Sequence, residues 1–235
     1  FKQRLLKVLT AVLKTARPAV GGTAVQSAGK ITLRQTKSSA KGGNKVVALA
    51  CSTGGPKALQ SVIPYLPKNL NAPMVLVQHM PEGFTKSMAD RLNEVSPIHV
   101  KEAADGDVLE KGTVYIAPGG KHMEVKKTAD GRHKIQLNEM PPIGGLRPCA
   151  NITYDSLRTC GYDEVVCVVL TGMGADGTNG ILSLAKSKPV YVIAQNAQTC
   201  VVYGMPKAIV ETGMVNEVVP LTEIAQTITK NVGVQ

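Results

Sequence analysis

Three polar residues whose types suit acyl transfer each directly follow a run of apolar residues. Ser52 lies in the segment A-C-S-T-G, which is close to the G-x-S-x-G turn that exposes a nucleophilic serine between a strand and a helix. His79 follows a second apolar run, and Asp176 lies in a glycine-rich loop after a third. A serine nucleophile needs a base within hydrogen-bond reach and an acid that holds that base. The three residues therefore favour a Ser-His-Asp hydrolase.

Other interpretations of the same residues stay open. Taken singly, Ser52 also fits a helix N-cap, His79 a structural histidine at a strand end, and Asp176 an ordinary turn residue before glycine. Cys51 with His79 as its base is a rival thiolate nucleophile. The phosphate-loop pattern G-x-x-x-x-G-K-[ST] and the dinucleotide pattern G-x-G-x-x-G are absent around Ser52. A binding module without chemistry is the rival from another functional class.

Backbone N–H groups beside the serine and in the glycine-rich loop are the candidates for an oxyanion hole. We expect those of Thr53 and Met173 to serve, because backbone donors are a common means of stabilising an oxyanion. None of the four histidines has an H-x-H or H-E-x-x-H spacing. We therefore expect no metal site and no cofactor.

The elements that must position these residues alternate regularly from residue 46 onward. The predicted strands are 46–50, 73–78, 98–102, 112–117, 164–170, 191–195 and 217–220, with a hairpin of 123–127 and 134–137. The predicted helices are 56–65, 83–93, 152–161, 178–187, 205–212 and 223–232. Near-continuous apolar strands alternating with helices predict an α/β fold: a doubly wound, mostly parallel sheet with helices on both faces and a small antiparallel hairpin. Ligands bind beyond the carboxyl ends of such strands, where all three polar residues are expected.

The basic charge of the chain belongs to its first 45 residues. These residues contain ten of the 27 Lys and Arg and no acidic residue, which leaves 17 basic against 17 acidic residues in 46–235. Residues 1–16 have the apolar spacing of an amphipathic helix, and 17–45 have the Gly, Ser and Lys content of a flexible linker. We therefore predict a basic helix and linker at 1–45 and one catalytic domain at 46–235, with no nucleic-acid partner.

The cysteines and the apolar runs indicate the compartment. The five cysteines show no C-x-x-C pairing, no apolar run reaches transmembrane length, and residues 1–16 are too charged for a secretory signal. We expect a cytoplasmic protein without membrane insertion.

Several ordered segments resemble the CheB family of chemotaxis protein-glutamate methylesterases and protein-glutamine glutaminases. These segments are STGGP at 52–56, VQHMP at 77–81, YIAPGGKH at 115–122, LTGMGADG at 170–177 and AQNAQTCVVYGMPKA at 194–208. The resemblance implies that Ser52, His79 and Asp176 form a catalytic triad acting on γ-glutamyl methyl esters of chemotaxis receptors. It also implies two-component signalling and a phosphorylatable receiver domain before the linker, and we do not expect that domain among residues 1–235.

Two positions depart from the pattern of the family. Ala50 stands where many members have glycine, two residues before the serine. Cys149, Ala150 and Asn151 stand where many members have Ser-Val-Asp after the Arg-Pro pair. Because of the second departure, the resemblance does not predict the side-chain contacts that residues 149–151 make near the site.

Overall fold

The strands of the main sheet are buried where their sequences are apolar without interruption. In the computed structural model, which describes residues 43–235, β1, β2, β4 and β7 are buried at every position. The strands are β1 (Lys45–Cys51), β2 (Met74–Gln78), β3 (His99–Glu102), β4 (Thr113–Ile116), β5 (His122–Lys127), β6 (His133–Asn138), β7 (Glu164–Val169), β8 (Val190–Gln195) and β9 (Glu217–Val219). The helices are α1 (Gly55–Gln60), α2 (Phe84–Val95), α3 (Ala150–Ser156), α4 (Thr178–Ala185), α5 (Met205–Val210) and α6 (Ile224–Val232).

Seven strands form one parallel sheet in the order β3-β4-β2-β1-β7-β8-β9. Within the described residues, the chain begins with the central β1, builds one half of the sheet, and then returns to β7 on the other side of β1. Such a reversal leaves a crevice at the carboxyl ends of the two central strands. The predicted doubly wound sheet is confirmed, and β5 and β6 form the predicted antiparallel hairpin.

Alternation of side chains along each strand produces two separate apolar layers. Val46, Ala48 and Ala50 of β1 face α3, α4, α5 and the hairpin. Val47 and Leu49 face the opposite layer, which contains α1, α2 and α6. Because successive strand residues point to opposite faces, one apolar strand supplies both cores.

Two predicted helices differ most from their predicted ranges. The helix predicted over 56–65 ends at Gln60 and is followed by a 3-10 turn, Ile63–Tyr65. Pro64 has no N–H to donate to the carbonyl of Gln60, so the α-helix cannot continue through it. The helix predicted over 152–161 begins earlier, at Ala150, and gives way to a 3-10 turn after Ser156.

The predicted basic helix and nearly all of the predicted linker lie outside the described residues. Within residues 43–235, β1 begins at Lys45, one residue before the predicted strand. In this part of the chain no helix has the length and apolar character needed to cross a membrane.

Candidate active site

The ends of β1, β2 and β7 converge on Ser52. Cys51 pairs with Gln78 as the last residues of β1 and β2, so Ser52 and His79 are the next residues on neighbouring strands. The His79 N–H donates to the Cys51 carbonyl (3.1 Å), and the Ser52 N–H donates to the Thr171 carbonyl (3.0 Å) just beyond β7. The structure therefore brings the predicted nucleophile and base to adjacent strand ends, with the loop after β7 on the other side of Ser52.

Gly172 allows the loop after β7 to approach Ser52 closely. A Cβ atom built on Gly172 would lie 2.8 Å from the Ser52 Cβ and 2.4 Å from the Met205 Sδ. Real Cβ atoms do not tolerate either distance, so a side chain at residue 172 would push this loop away from the serine.

His79 and Asp176 form a buried ion-pair contact. The His79 Nε2 lies 2.8 Å from the Asp176 Oδ2, and the two side chains are only 8% and 5% exposed. The ring nitrogen left for a substrate or nucleophile is therefore Nδ1. This arrangement is the reverse of the chymotrypsin-type triad, in which Nδ1 contacts the aspartate and Nε2 faces the serine.

The Asp176 carboxylate also accepts hydrogen bonds from the start of α3 and from its own loop. Its donors are the N–H groups of Ala150 (2.6 Å), Asn151 (3.0 Å) and Gly177 (2.9 Å), and the Cys149 thiol (3.2 Å). Burial raises the pKa of Asp176, but hydrogen bonds from His79, Ala150, Asn151 and Cys149 outweigh that effect and lower the pKa overall. The carboxylate is consequently held ionised within hydrogen-bond distance of the His79 ring.

The segment that departs from the family pattern is the one that holds Asp176, and sequence reasoning did not find this role. Asn151 Oδ1 also accepts the N–H groups of Gly177 (3.1 Å) and Gly180 (2.7 Å), at the start of α4. A thiol and a hydroxyl both donate, and an amide and a carboxylate both offer an acceptor oxygen. Cys149 and Asn151 therefore supply the same kinds of hydrogen-bonding group as the Ser and Asp of the family pattern.

Thr171 is a second residue that sequence reasoning missed. Its buried hydroxyl donates to the Thr53 carbonyl (3.0 Å) and accepts the N–H groups of Val201 (3.1 Å) and Val202 (3.0 Å). It thereby links the loop after β1 to the loop after β8. The only sequence signal was a polar residue at a strand end beside a glycine.

The backbone N–H groups of Thr53 and Met173 lie on loops that flank Ser52. Neither N–H donates a hydrogen bond to an acceptor in residues 43–235, and neither does the Ser52 hydroxyl. Thr53 is exposed, and the Met173 side chain is 73% exposed. Both groups are therefore available to a ligand in this part of the structure.

Cys51 is unsuited to the nucleophilic role that was its alternative interpretation. Its side chain is fully buried in the layer that contains α1, and its thiol donates to the Gln78 Oε1 (3.0 Å). Burial raises the pKa of the Cys51 thiol well above its ordinary value. The reactive thiolate is thus disfavoured, and the thiol already has Gln78 as its hydrogen-bond partner.

Comparisons with known proteins agree on one family. The sequence profile described as "CheB methylesterase" matches residues 47–228. A relative from Bacillus subtilis (strain 168), named protein-glutamate methylesterase/protein-glutamine glutaminase, is 49% identical over 187 residues, covering 80% of this chain and 52% of the relative. A relative of the same name from Pyrococcus horikoshii is 50% identical, covering 79% of this chain and 50% of its own length. The chain thus spans about half the length of these curated relatives.

A solved structure shares the fold. The crystal structure of the Thermotoga maritima CheB methylesterase catalytic domain superimposes with a TM-score of 0.75 at 42% sequence identity. The match covers 80% of this chain and 98% of that structure.

Replacement of Asn151 by alanine should destabilise the protein, because the N–H groups of Gly177 and Gly180 lose their shared acceptor. By analogy with helix caps, we expect the free energy of unfolding to fall by about 1 kcal/mol. Urea denaturation measures this change. Asn151→Asp keeps an acceptor oxygen and should lose less, whereas an Asn151→Ala protein as stable as the wild type would contradict the capping role.

Acid should remove the stability contributed by Asp176. Its folded pKa is lowered, so the carboxylate adds stability that is fully present above the unfolded aspartate pKa of about 3.9. That contribution is lost as the pH falls through the lower, folded pKa. We expect the wild type to exceed Asp176→Asn in free energy of unfolding at pH 7, and the difference to shrink toward pH 3 in a urea series. A difference independent of pH would show that the carboxylate charge is not the stabilising feature.

Proposed function

The chain belongs to the CheB methylesterase family, and we propose that residues 46–235 hydrolyse γ-glutamyl methyl esters of chemotaxis receptors and deamidate receptor glutamines. The observation that carries this proposal is the buried His79–Asp176 contact of 2.8 Å beside Ser52. The names of the relatives support both activities, and the positions of the three residues at the central strand ends support a Ser-His-Asp mechanism.

Acylation begins with the Ser52 hydroxyl. Its oxygen attacks the ester carbonyl while His79 Nδ1 takes the hydroxyl proton, and the Asp176 carboxylate stabilises the imidazolium that forms. The C–O bond to the methoxy group then breaks, and the imidazolium returns the proton so that methanol leaves. The product of this step is a glutamyl ester of Ser52.

The oxyanion of the tetrahedral intermediate needs donors on the open side of Ser52. The N–H groups of Thr53 and Met173 have no acceptor in residues 43–235, so they are free to donate to it. Each backbone donor of this kind typically contributes about 3 kcal/mol to transition-state stabilisation.

Deacylation repeats the same chemistry with water. His79 takes a proton from water, the resulting hydroxide attacks the acyl carbonyl, and the Ser52 oxygen leaves with that proton, so that free glutamate forms. With a glutamine substrate the first leaving group is ammonia, and the second step is unchanged. One site therefore accounts for both proposed activities.

A protein substrate suits the surroundings of the site. Met173, Val201 and Phe84 are 73%, 64% and 62% exposed and lie in or beside the loops that follow β7, β8 and β2. Exposed apolar side chains next to a reactive group are typical of surfaces that contact another protein. We further propose that the protein acts in the cytoplasm, in two-component signalling, and that a receiver domain is the partner of residues 46–235 in the longer protein.

Ser52→Ala should abolish methanol release from methylated receptor, because no other group in the site forms the acyl-enzyme. We expect turnover to fall at least about 10³-fold while receptor binding survives. Release of labelled methanol measures the reaction. A near-normal rate in Ser52→Ala would contradict the serine mechanism. Failure of the wild type both to release methanol and to react with a serine-directed phosphonate would favour the binding-module alternative.

Cys51→Ser separates the serine mechanism from the thiolate alternative. The serine hydroxyl still donates to Gln78, so we expect methanol release at a rate similar to that of the wild type. A thiolate enzyme would instead lose its nucleophile. Loss of activity in a folded Cys51→Ser protein, with activity retained in Ser52→Ala, would reverse the assignment.

A further inference from the structure

A single buried amide joins the main-chain segments that carry Ser52 and His79. The Gln78 Nε2 donates to the Ser52 carbonyl (3.1 Å) and to the His79 carbonyl (3.0 Å). The Gln78 side chain is buried, with the residue only 1% exposed. No other side chain in residues 43–235 hydrogen-bonds to both of these segments.

The Gln78 amide lies just beyond the last backbone hydrogen bond between β1 and β2. The last rung between β1 and β2 is the bond from the His79 N–H to the Cys51 carbonyl. Beyond it the Ser52 N–H bonds toward the loop after β7 instead, so no backbone bond joins Ser52 to the His79 side of the sheet. The Gln78 carboxamide extends the connection between the two strands by one residue.

The surroundings of the amide permit one orientation. The Gln78 Oε1 accepts the Cys51 thiol (3.0 Å), which leaves Nε2 to face the two carbonyls. A Cβ built on Gly55 would lie 1.8 Å from this oxygen, so only glycine at residue 55 leaves room for the amide. Met74 and Leu76, which share this face of β2, lie in an apolar cluster. An apolar side chain at residue 78 would suit that layer. Burial of the Gln78 carboxamide there lowers the stability of the fold unless the carboxamide makes its hydrogen bonds.

We propose that Gln78 is a positioning residue for acyl transfer. Its carboxamide fixes the separation of the Ser52 and His79 main chains, and this separation sets the distance between the Ser52 hydroxyl and the His79 imidazole. This inference rests on the proposed function. Gln78 itself contacts no reacting atom. Its effect belongs to kcat, because an acyl transfer depends steeply on the alignment of nucleophile and base.

Gln78→Met keeps the length of the side chain and removes both N–H donors. We expect kcat for methanol release to fall about 10²-fold, as a misplacement of about 1 Å would cause, with KM nearly unchanged. The rate at which a fluorophosphonate labels Ser52 should fall by a similar factor. Gln78→Glu, which lacks the two N–H donors but keeps the polar shape, should change kcat and labelling in the same direction.

The control is a variant that loses a hydrogen bond far from the site. The Tyr191 hydroxyl donates to Glu217 near the amino end of β8, so Tyr191→Phe loses this bond without touching Ser52 or His79. Its kcat and labelling rate should match the wild type, and thermal unfolding of all variants identifies any general loss of structure.

The outcomes separate the inference from the proposed function. A folded Gln78→Met or Gln78→Glu protein with the kcat and labelling rate of Tyr191→Phe would overturn the positioning role, even if Ser52→Ala is inactive. If Gln78→Met does not fold, Gln78→Glu decides the question. Retention of turnover in Ser52→Ala would overturn both the serine mechanism and this inference.

Discussion

The buried carboxylate of Asp176 is the constraint on which the arrangement of the site depends. A buried charge costs several kcal/mol unless hydrogen bonds replace its lost hydration. Here the donors come from three places: His79 after β2, the start of α3, and the loop of Asp176 itself. The carboxylate therefore fastens three separate segments at the point where the imidazole must be held. The same hydrogen bonds that make the charge tolerable also orient the histidine.

Other buried polar side chains at strand ends also connect separate segments by hydrogen bonds along this edge of the sheet. The amide of Gln195, at the end of β8, accepts the Thr171 N–H (2.8 Å) and donates to the Thr199 carbonyl (2.8 Å). Gln78 and Thr171 make comparable bonds to the loops beside them. A parallel sheet leaves its loops without ladder bonds at this edge, and buried backbone groups need partners. Side chains at the strand ends supply these partners for the loops around Ser52.

The sequence predicted those parts of the molecule that depend on local pattern. Unbroken apolar runs identified the parallel strands, and the polar residues directly after them indicated the edge where Ser52, His79 and Asp176 lie. The contacts of Cys149 and Asn151 with the Asp176 loop were not predictable, because no local pattern links residues about 25 positions apart. The role of Gln78 was not predictable for a related reason. A polar residue at the end of an apolar strand is not distinctive in the sequence, and its hydrogen bonds to the Ser52 and His79 carbonyls depend on how the strands pack.

Strand order explains why the imidazole uses Nε2 for the aspartate. His79 follows β2 and Asp176 follows β7, and β1 lies between these two strands. Adjacent strands are about 4.8 Å apart, so the histidine must reach across the end of β1 to meet the carboxylate. Nε2, the ring nitrogen farther from the main chain, makes that contact at 2.8 Å. The nearer nitrogen, Nδ1, is not used for this contact. In the proposed triad the order in the sheet is base, nucleophile, acid, and this order would present the near side of the ring to the nucleophile.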